Sequence, residues 1–148
     1  MIQIHRHALV RYTAEQMFDL VNDIEAYPKR FAWCTEAKIL ESSGDTQTAR
    51  LDLRLSGLAY SFTTRNKLLR PQRIELDLVE GPFRKLRGVW QFLSLGEQGC
   101  KVILMLDIEF GGKLAATALR LGFQRLANHL VNDFCQQAEL QYGRRTSS

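Results

Sequence analysis

Hydrophobic residues recur along the chain at two spacings, and each spacing predicts one kind of element. Between residues 113 and 142 they return every three or four positions, as on one side of an α-helix, at Leu119, Phe123, Leu126, Leu130 and Phe134. Upstream they alternate with polar residues, as in half-buried strands, over residues 2–10, 35–42, 47–56, 58–69, 73–80, 83–95 and 100–110. We therefore expect an α+β fold in which a curved antiparallel sheet wraps around the long C-terminal helix.

A shorter helix is expected after the first strand. Thr13-Ala14-Glu15-Gln16 has the form of a capping box, in which the first and last side chains each bond the other residue's backbone N–H. The helix should end before Tyr27-Pro28, because the residue before a proline avoids the helical conformation. Residues 29–34 fit either a second short helix or a loop. The apolar side of the first helix consists of Met17, Leu20, Val21 and Ile24.

The composition indicates one basic domain. A chain of 148 residues with 45% hydrophobic residues can bury a core, so we expect one domain over residues 1–148. The net charge of +4 is below the excess of a dedicated nucleic-acid binder, so no DNA partner is expected. Between residues 50 and 87, however, nine Lys and Arg stand against four Asp and Glu. This run is either a solvated sheet face or a surface for lipid headgroups or RNA.

No segment suggests export or a membrane span. The N-terminal residues lack the apolar stretch of a signal peptide, and no apolar run is long enough to cross a bilayer. Cys34, Cys100 and Cys135 are widely spaced and form no C-x-x-C pair, which is typical of reduced thiols. We therefore expect a cytoplasmic protein, with peripheral contact at the inner membrane face as the alternative.

Few residues suggest catalysis or metal binding. His5 and His7 share a strand face, but no Cys, Asp or Glu is placed beside them at a ligand spacing. Cys34 has no motif that would activate it, and His129 has the surroundings of a surface histidine on the long helix. The expectation is a protein without a metal, a cofactor or an enzymatic activity.

Two features suggest a cavity between the helix and the sheet. Thr64 and Asn66 fall on the apolar face of their strand, where each must find a hydrogen bond or lose roughly 1–3 kcal/mol. They are either satisfied within the core or available to a ligand with carbonyl or hydroxyl oxygens. Gly122 and Ala118 thin the long helix, which either allows close packing on the sheet or leaves space for a ligand.

Several motifs together resemble the START-like (polyketide cyclase/dehydrase-like) proteins. The similarity covers about residues 2–142 and is closest to the branch of coenzyme Q-binding proteins and RatA-type ribosome-association toxins. The residues that carry it are Tyr27-Pro28 with Cys34, Phe62-Thr63-Thr64-Arg65-Asn66, Gly81-Pro82-Phe83-Arg84-Lys85-Leu86, Trp90 with Phe92, Glu109-Phe110 and Lys113-Leu114. The resemblance implies a helix-grip fold with a hydrophobic tunnel between the sheet and the final helix.

The resemblance implies two functions. The first, which we favour from the sequence, is a non-catalytic carrier that holds ubiquinone or a similar polyprenyl quinone and supports respiratory electron transport. The alternative is a RatA-type toxin that binds the large ribosomal subunit, blocks subunit association and so inhibits translation. An aromatase or cyclase activity in the same pocket is a minor third interpretation.

The two functions use different residues. A carrier would bind its ligand through inward-facing residues, for which the candidates are Tyr60, Phe62, Thr64, Asn66, Leu76, Leu78, Phe83, Trp90, Phe92, Leu104, Leu106, Leu119, Gly122 and Leu126. A ribosome binder would use the outward cations Arg65, Lys67, Arg84 and Lys85.

The sequence departs from the family pattern after Tyr27-Pro28. Arg30 and Ala32 occupy positions where the family usually has an aromatic residue and a second proline, so the loop at the tunnel mouth should be more basic or differently shaped. Trp33 and Phe83 either form a membrane-touching rim with nearby cations or belong to the core.

Overall fold

The computed structural model of this chain describes residues 2–111 and 115–143, with the side chains of residues 115 and 116 left out. A short 3₁₀ turn, Ile24–Ala26, connects the first two helices. In chain order the elements are β1 (Ile2–Val10), α1 (Ala14–Asn22), α2 (Tyr27–Arg30), β2 (Cys34–Ser43), β3 (Thr46–Leu55), β4 (Leu58–Leu69), β5 (Arg73–Glu80), β6 (Phe83–Ser94), β7 (Cys100–Phe110) and α3 (Ala115–Tyr142).

The strands form one antiparallel sheet in the order β1-β7-β6-β5-β4-β3-β2. The first strand therefore pairs with the last, and every other neighbouring pair is consecutive along the chain. The curved sheet and the long helix over its inner face match the predicted helix-grip arrangement, which is confirmed.

Helix α3 covers the inner face of the sheet with the residues that its spacing predicts. Leu119, Phe123, Leu126 and Phe134 are buried, and Leu130 is half-buried. The helix ends at Gly143, whose left-handed φ of +85° and N–H bond to the Glu139 carbonyl (2.9 Å) are those of a C-terminal cap. The predicted start at Lys113 and the cations Arg144 and Arg145 lie outside the described residues.

Helix α1 begins with the predicted capping box. The Gln16 N–H donates to Thr13 Oγ1 at 3.1 Å, and the Thr13 N–H donates to Gln16 Oε1 at 2.9 Å. Two backbone donors that would otherwise lack a partner are thereby satisfied. The predicted apolar side is buried, together with Phe18.

Two local predictions need correction. The first helix ends before Tyr27-Pro28, as predicted, but the predicted reason is wrong. Tyr27 is itself helical and opens α2, because a proline in the first helical turn gives up an N–H that has no helical partner there. Residues 29–34 therefore contain both a helical end and a loop. The alternation within 58–69 also predicts Leu58 on the same inward face as Phe62, but Leu58 is 48% exposed, since it follows the turn at Ser56 and Gly57, at the end of its strand.

Candidate ligand cavity and basic outer face

A cavity of about 110 Å³ lies between α3 and the inner face of the sheet. Its wall is almost entirely apolar, and α1 with the turn after it contributes to one side. Eight of the predicted ligand-binding residues line it, namely Phe62, Thr64, Asn66, Leu76, Trp90, Leu104, Leu106 and Leu126. Each lies on β4, β5, β6, β7 or α3, on the side of that element that the periodicity of the sequence predicts to face inward.

Six other candidates do not line this cavity. Leu119, Phe83 and Phe92 are buried in the core, and Tyr60 and Leu78 are half-buried beside it. Phe83 joins a cluster of rings, with centroids 5.7 Å from Phe62, 5.7 Å from Phe110 and 5.1 Å from Phe123. These rings pack together in the helix–sheet interface beside the cavity, and two of them, Phe62 and Phe123, also line its wall.

The sixth candidate, Gly122, brings the helix close to the sheet. A Cβ atom at Gly122 would lie 2.9 Å from the Leu55 Cβ, closer than such atoms normally approach. The glycine therefore permits tight packing of α3 on β3, and its role as a cavity wall is contradicted.

Thr64 and Asn66 meet at the polar part of the cavity wall. The Thr64 hydroxyl donates to Asn66 Oδ1 at 2.7 Å, and both residues are buried. The two open interpretations thus combine: the residues partly satisfy each other, and both still face the cavity.

Further cavity-lining residues were missed because they depend on contacts between distant segments. Val21 and Ile24 were expected on the apolar side of α1, but nothing in their spacing shows that this side meets the cavity. Asn22 follows them, and its buried Oδ1 has no hydrogen-bond partner among the described residues. The complete set of missed lining residues is Val21, Asn22, Ile24, Tyr27, Trp33, Ala49, Leu51, Leu53, Ile74, Leu86, Phe123, Leu130 and Phe134.

Trp33 connects the loop before β2 to α3. Its indole Nε1–H donates to Asp133 Oδ2 at 3.1 Å, and the same oxygen lies 2.6 Å from His129 Nδ1. Trp33 also stacks on Phe31, with ring centroids 4.8 Å apart. Trp33 is held by these contacts and Phe83 is buried, so these two residues do not form the predicted membrane-touching rim.

Two buried groups near the cavity are not activated. Burial raises the pKa of the Cys34 thiol to about 11, so it stays protonated at neutral pH and is a poor nucleophile. Burial also raises the pKa of Tyr27 well above its ordinary value, and its hydroxyl donates to the Val21 carbonyl. Both side chains therefore act as neutral packing groups.

The basic run on the outer face is less positive than its composition suggests. Arg50, Arg73 and Arg87 form ion pairs with Asp52, Glu75 and Asp77 at 3.0–3.2 Å. Arg84 lies 3.9 Å from Glu109, a weak and exposed pair. Three predicted cations remain without an ion pair to any residue that the structure describes, and all three are exposed: Arg65, Lys67 and Lys85.

Two of the unpaired cations, Arg65 and Lys67, lie on β4, and the third, Lys85, lies on β6, with β5 between these strands. Arg65 stands opposite Asp77 of β5, which stands opposite Arg87 of β6, and Lys67 stands opposite Glu75. Because Glu75 and Asp77 already have arginine partners, positive charge remains in excess around β4.

The described residues contain neither a candidate metal site nor a candidate membrane-spanning helix. In that part of the chain, no three His, Cys, Asp or Glu side chains are grouped so that they could hold a metal ion. None of the described helices has the length and apolar character needed to cross a membrane.

The chain is similar to proteins of one family. The family model described as polyketide cyclase/dehydrase and lipid transport matches residues 10–135. Ribosome association toxin RatA of Pseudomonas aeruginosa is 43% identical over 140 residues, covering 95% of this chain and 97% of that protein. Mitochondrial coenzyme Q-binding protein COQ10 homolog B of Xenopus laevis is 23% identical over 147 residues, covering 97% of this chain and 60% of that protein.

Solved structures support the same fold. The Zhui aromatase/cyclase from Streptomyces sp. R1128 superposes with a TM-score of 0.84 over 95% of each chain, at 19% identity. Likeness at that identity concerns the fold alone. On the matches in sequence, the chain belongs to the polyketide cyclase/dehydrase and lipid transport family, and its helix-grip architecture agrees with that assignment.

Proposed function

We propose that this protein is a RatA-type toxin that binds the large ribosomal subunit and blocks its association with the small subunit. The observation that carries this proposal is the 43% identity to a ribosome association toxin over almost the whole of both chains. The quinone-carrier function, which the sequence alone favoured, has in its support a coenzyme Q-binding relative at 23% identity, well below the 43% of the toxin. We therefore prefer ribosome association to the quinone-carrier function that the sequence alone favoured.

The outer face supports the proposal by its charge. Arg65, Lys67 and Lys85 are exposed and free of ion pairs within the described part of the chain, and Arg84 has only its long pair with Glu109. Lysine and arginine side chains bind RNA through phosphate oxygens and release the counterions that the phosphates had held. These four residues are the proposed contacts to ribosomal RNA.

Sedimentation with purified bacterial ribosomal subunits tests the proposal. The protein should travel with the large subunit in a sucrose gradient, and its addition should reduce the peak of joined ribosomes. With four phosphate contacts the logarithm of the association constant should fall with the logarithm of salt concentration with a slope of about −3. A protein that stays at the top of the gradient at low salt, or leaves subunit joining unchanged, would contradict the proposal.

The cavity favours a second candidate function, the binding of a hydrophobic small molecule such as a quinone. Its volume of about 110 Å³ is below the roughly 300–1,000 Å³ of pockets that enclose a drug-sized ligand. The cavity can enclose a single ring, whereas a polyprenyl tail would have to lie outside it. Mass spectrometry of an organic extract from the purified protein tests this function. A quinone present in molar proportion supports it, and an extract without any stoichiometric hydrophobic compound counts against it.

No enzymatic activity is proposed. The likeness to an aromatase/cyclase concerns the fold, and the activity of a protein depends on the residues of its site.

A further inference from the structure

The side chain of Asn66 directs its amide oxygen toward Thr64 in the structure. Its Oδ1 accepts the Thr64 hydroxyl at 2.7 Å, so the carbonyl half of the amide is directed toward Thr64. The NH₂ half is then turned away from Thr64. Asn66 is only 2% exposed, so this NH₂ group is shielded from bulk water.

The NH₂ group of Asn66 is a hydrogen-bond donor at the cavity. Asn66 lines the cavity, and its hydrogen bond with Thr64 uses only the amide oxygen. The other lining residues are mostly apolar; Asn22 Oδ1 is an acceptor in the wall, but it forms no hydrogen bond with a described residue. A ligand in the cavity that carries an acceptor can therefore take a hydrogen bond from this NH₂ group, whereas an apolar ligand cannot.

The size of the cavity limits the ligand. An engineered cavity of about 150 Å³ lined by apolar side chains binds benzene, so a space of this order accommodates one six-membered ring. The present volume of about 110 Å³ is slightly smaller. A ring with one small polar substituent is therefore the largest group that fits without rearrangement.

We propose that Asn66 determines ligand specificity by donating a hydrogen bond from Nδ2 to the carbonyl oxygen of a small cyclic ketone in the cavity. Thr64 is a positioning residue, because its hydroxyl holds Asn66 Oδ1 and so keeps the donor directed toward the ligand. This inference rests on the second candidate function, the binding of a hydrophobic small molecule, and is independent of ribosome association.

Three ligands with nearly the same shape test the hydrogen bond. Cyclohexanone carries an acceptor, methylenecyclohexane has a CH₂ group in place of the oxygen, and cyclohexanol adds a donor. Titration followed by ¹H–¹⁵N NMR should show cyclohexanone binding roughly tenfold more tightly than methylenecyclohexane. The Asn66 side-chain NH₂ signals should move on binding of cyclohexanone and stay in place with the hydrocarbon.

Two variants of Asn66 make the test specific. Asn66→Leu removes the donor and should bind the ketone and the hydrocarbon equally. Asn66→Asp replaces the NH₂ group with a second oxygen, so it should bind cyclohexanol more tightly than cyclohexanone. If the buried carboxyl of Asn66→Asp prevents folding, Asn66→Leu alone still decides whether the preference for the ketone depends on Asn66.

Variants of Thr64 test the positioning role. Thr64→Val keeps the side-chain shape but removes the hydroxyl, and should reduce the preference for the ketone while leaving the affinity for the hydrocarbon unchanged. Thr64→Ser retains the hydroxyl and should restore the preference. A purely structural role for Thr64 would change the affinities for both ligands together.

The outcomes separate the two levels of the proposal. If neither cyclohexanone nor methylenecyclohexane binds, the small-molecule function itself fails. If both bind with equal affinity in the unmodified protein, or if the preference for the ketone persists in Asn66→Leu, the cavity binds ligands and the assignment of Asn66 is wrong.

Discussion

Strand β4 presents two different surfaces through alternate residues. Thr64 and Asn66 face inward, are buried and hydrogen-bond to each other. Arg65 and Lys67 face outward and are exposed to solvent. Since successive side chains of a strand point to opposite faces, the cavity and the basic outer face are separated by one position in sequence. Single substitutions in this strand can therefore separate the two candidate functions.

The two surfaces also differ in how much each side chain contributes to folding. A buried polar group left without a partner lowers stability by about 1–3 kcal/mol, whereas an exposed ion pair contributes about 0–1 kcal/mol. We therefore expect inward substitutions to change the free energy of unfolding and outward substitutions to change binding alone.

The largest effect is expected for Phe83→Ala in the filled part of the inner face. Phe83 packs against three other rings, so its removal leaves a hole and should lower the free energy of unfolding by about 3–5 kcal/mol. Urea denaturation measures this change in the free energy of unfolding. The matched outward variant Leu93→Ala, at a side chain that is 45% exposed, should change it by less than about 0.5 kcal/mol. A loss below about 1 kcal/mol in Phe83→Ala would show that this part is loosely packed.

A smaller loss is expected for Gly122→Ala, which tests how closely α3 approaches the sheet. Alanine favours the helix by about 1 kcal/mol over glycine. The new Cβ would meet the Leu55 Cβ at 2.9 Å, and such overpacking costs about 1–3 kcal/mol. The net result should be a lower thermal midpoint. A higher midpoint would mean that space exists beside Gly122, as the cavity-wall interpretation required.

Thr64→Val should lower the free energy of unfolding by about 1–2 kcal/mol, because Asn66 Oδ1 loses its donor. The double variant Thr64→Val with Asn66→Leu removes both polar groups and should recover most of that loss. Chemical denaturation of the two variants gives the comparison. If the double variant is the less stable of the two, the pair contributes more to the inner face than its hydrogen bond accounts for.

The smallest change in stability is expected for Arg65→Gln with Lys67→Gln. Neither residue has an ion pair among the described residues, so the free energy of unfolding should change by less than about 0.5 kcal/mol. Thermal denaturation at low salt checks this. A larger loss would indicate that the outer cations stabilise the fold through contacts with Glu75 or Asp77.

Much of the fold follows from the periodicity of the sequence. Alternation within β3, β4 and β7 identifies which residues face inward, because a strand has a fixed period of two. The spacing in α3 likewise identifies its buried side. Each of these predictions depends only on residues that are close together in sequence.

The details of the site depend on contacts between distant residues, and there the sequence was insufficient. The role of Gly122 depends on Leu55, which is far from it in the chain. The excess of cations in β4–β6 depends on the register that pairs Asp77 with Arg87. Asn22 was missed because the approach of α1 to the cavity is a tertiary contact. Local patterns in the sequence carry no information on contacts between residues that are far apart in the chain.

The central claim is that the outer face contacts the ribosome and the cavity does not. Measuring how tightly two matched double variants bind the large ribosomal subunit tests it most directly. Sedimentation at constant low salt would compare Arg65→Gln with Lys67→Gln, on the outside, and Thr64→Val with Asn66→Leu, on the inside. The account predicts that the outer variant loses roughly tenfold or more in affinity and has a shallower salt dependence, while the inner variant binds as the unmodified protein does. Normal binding by the outer variant together with loss of binding by the inner one would contradict it.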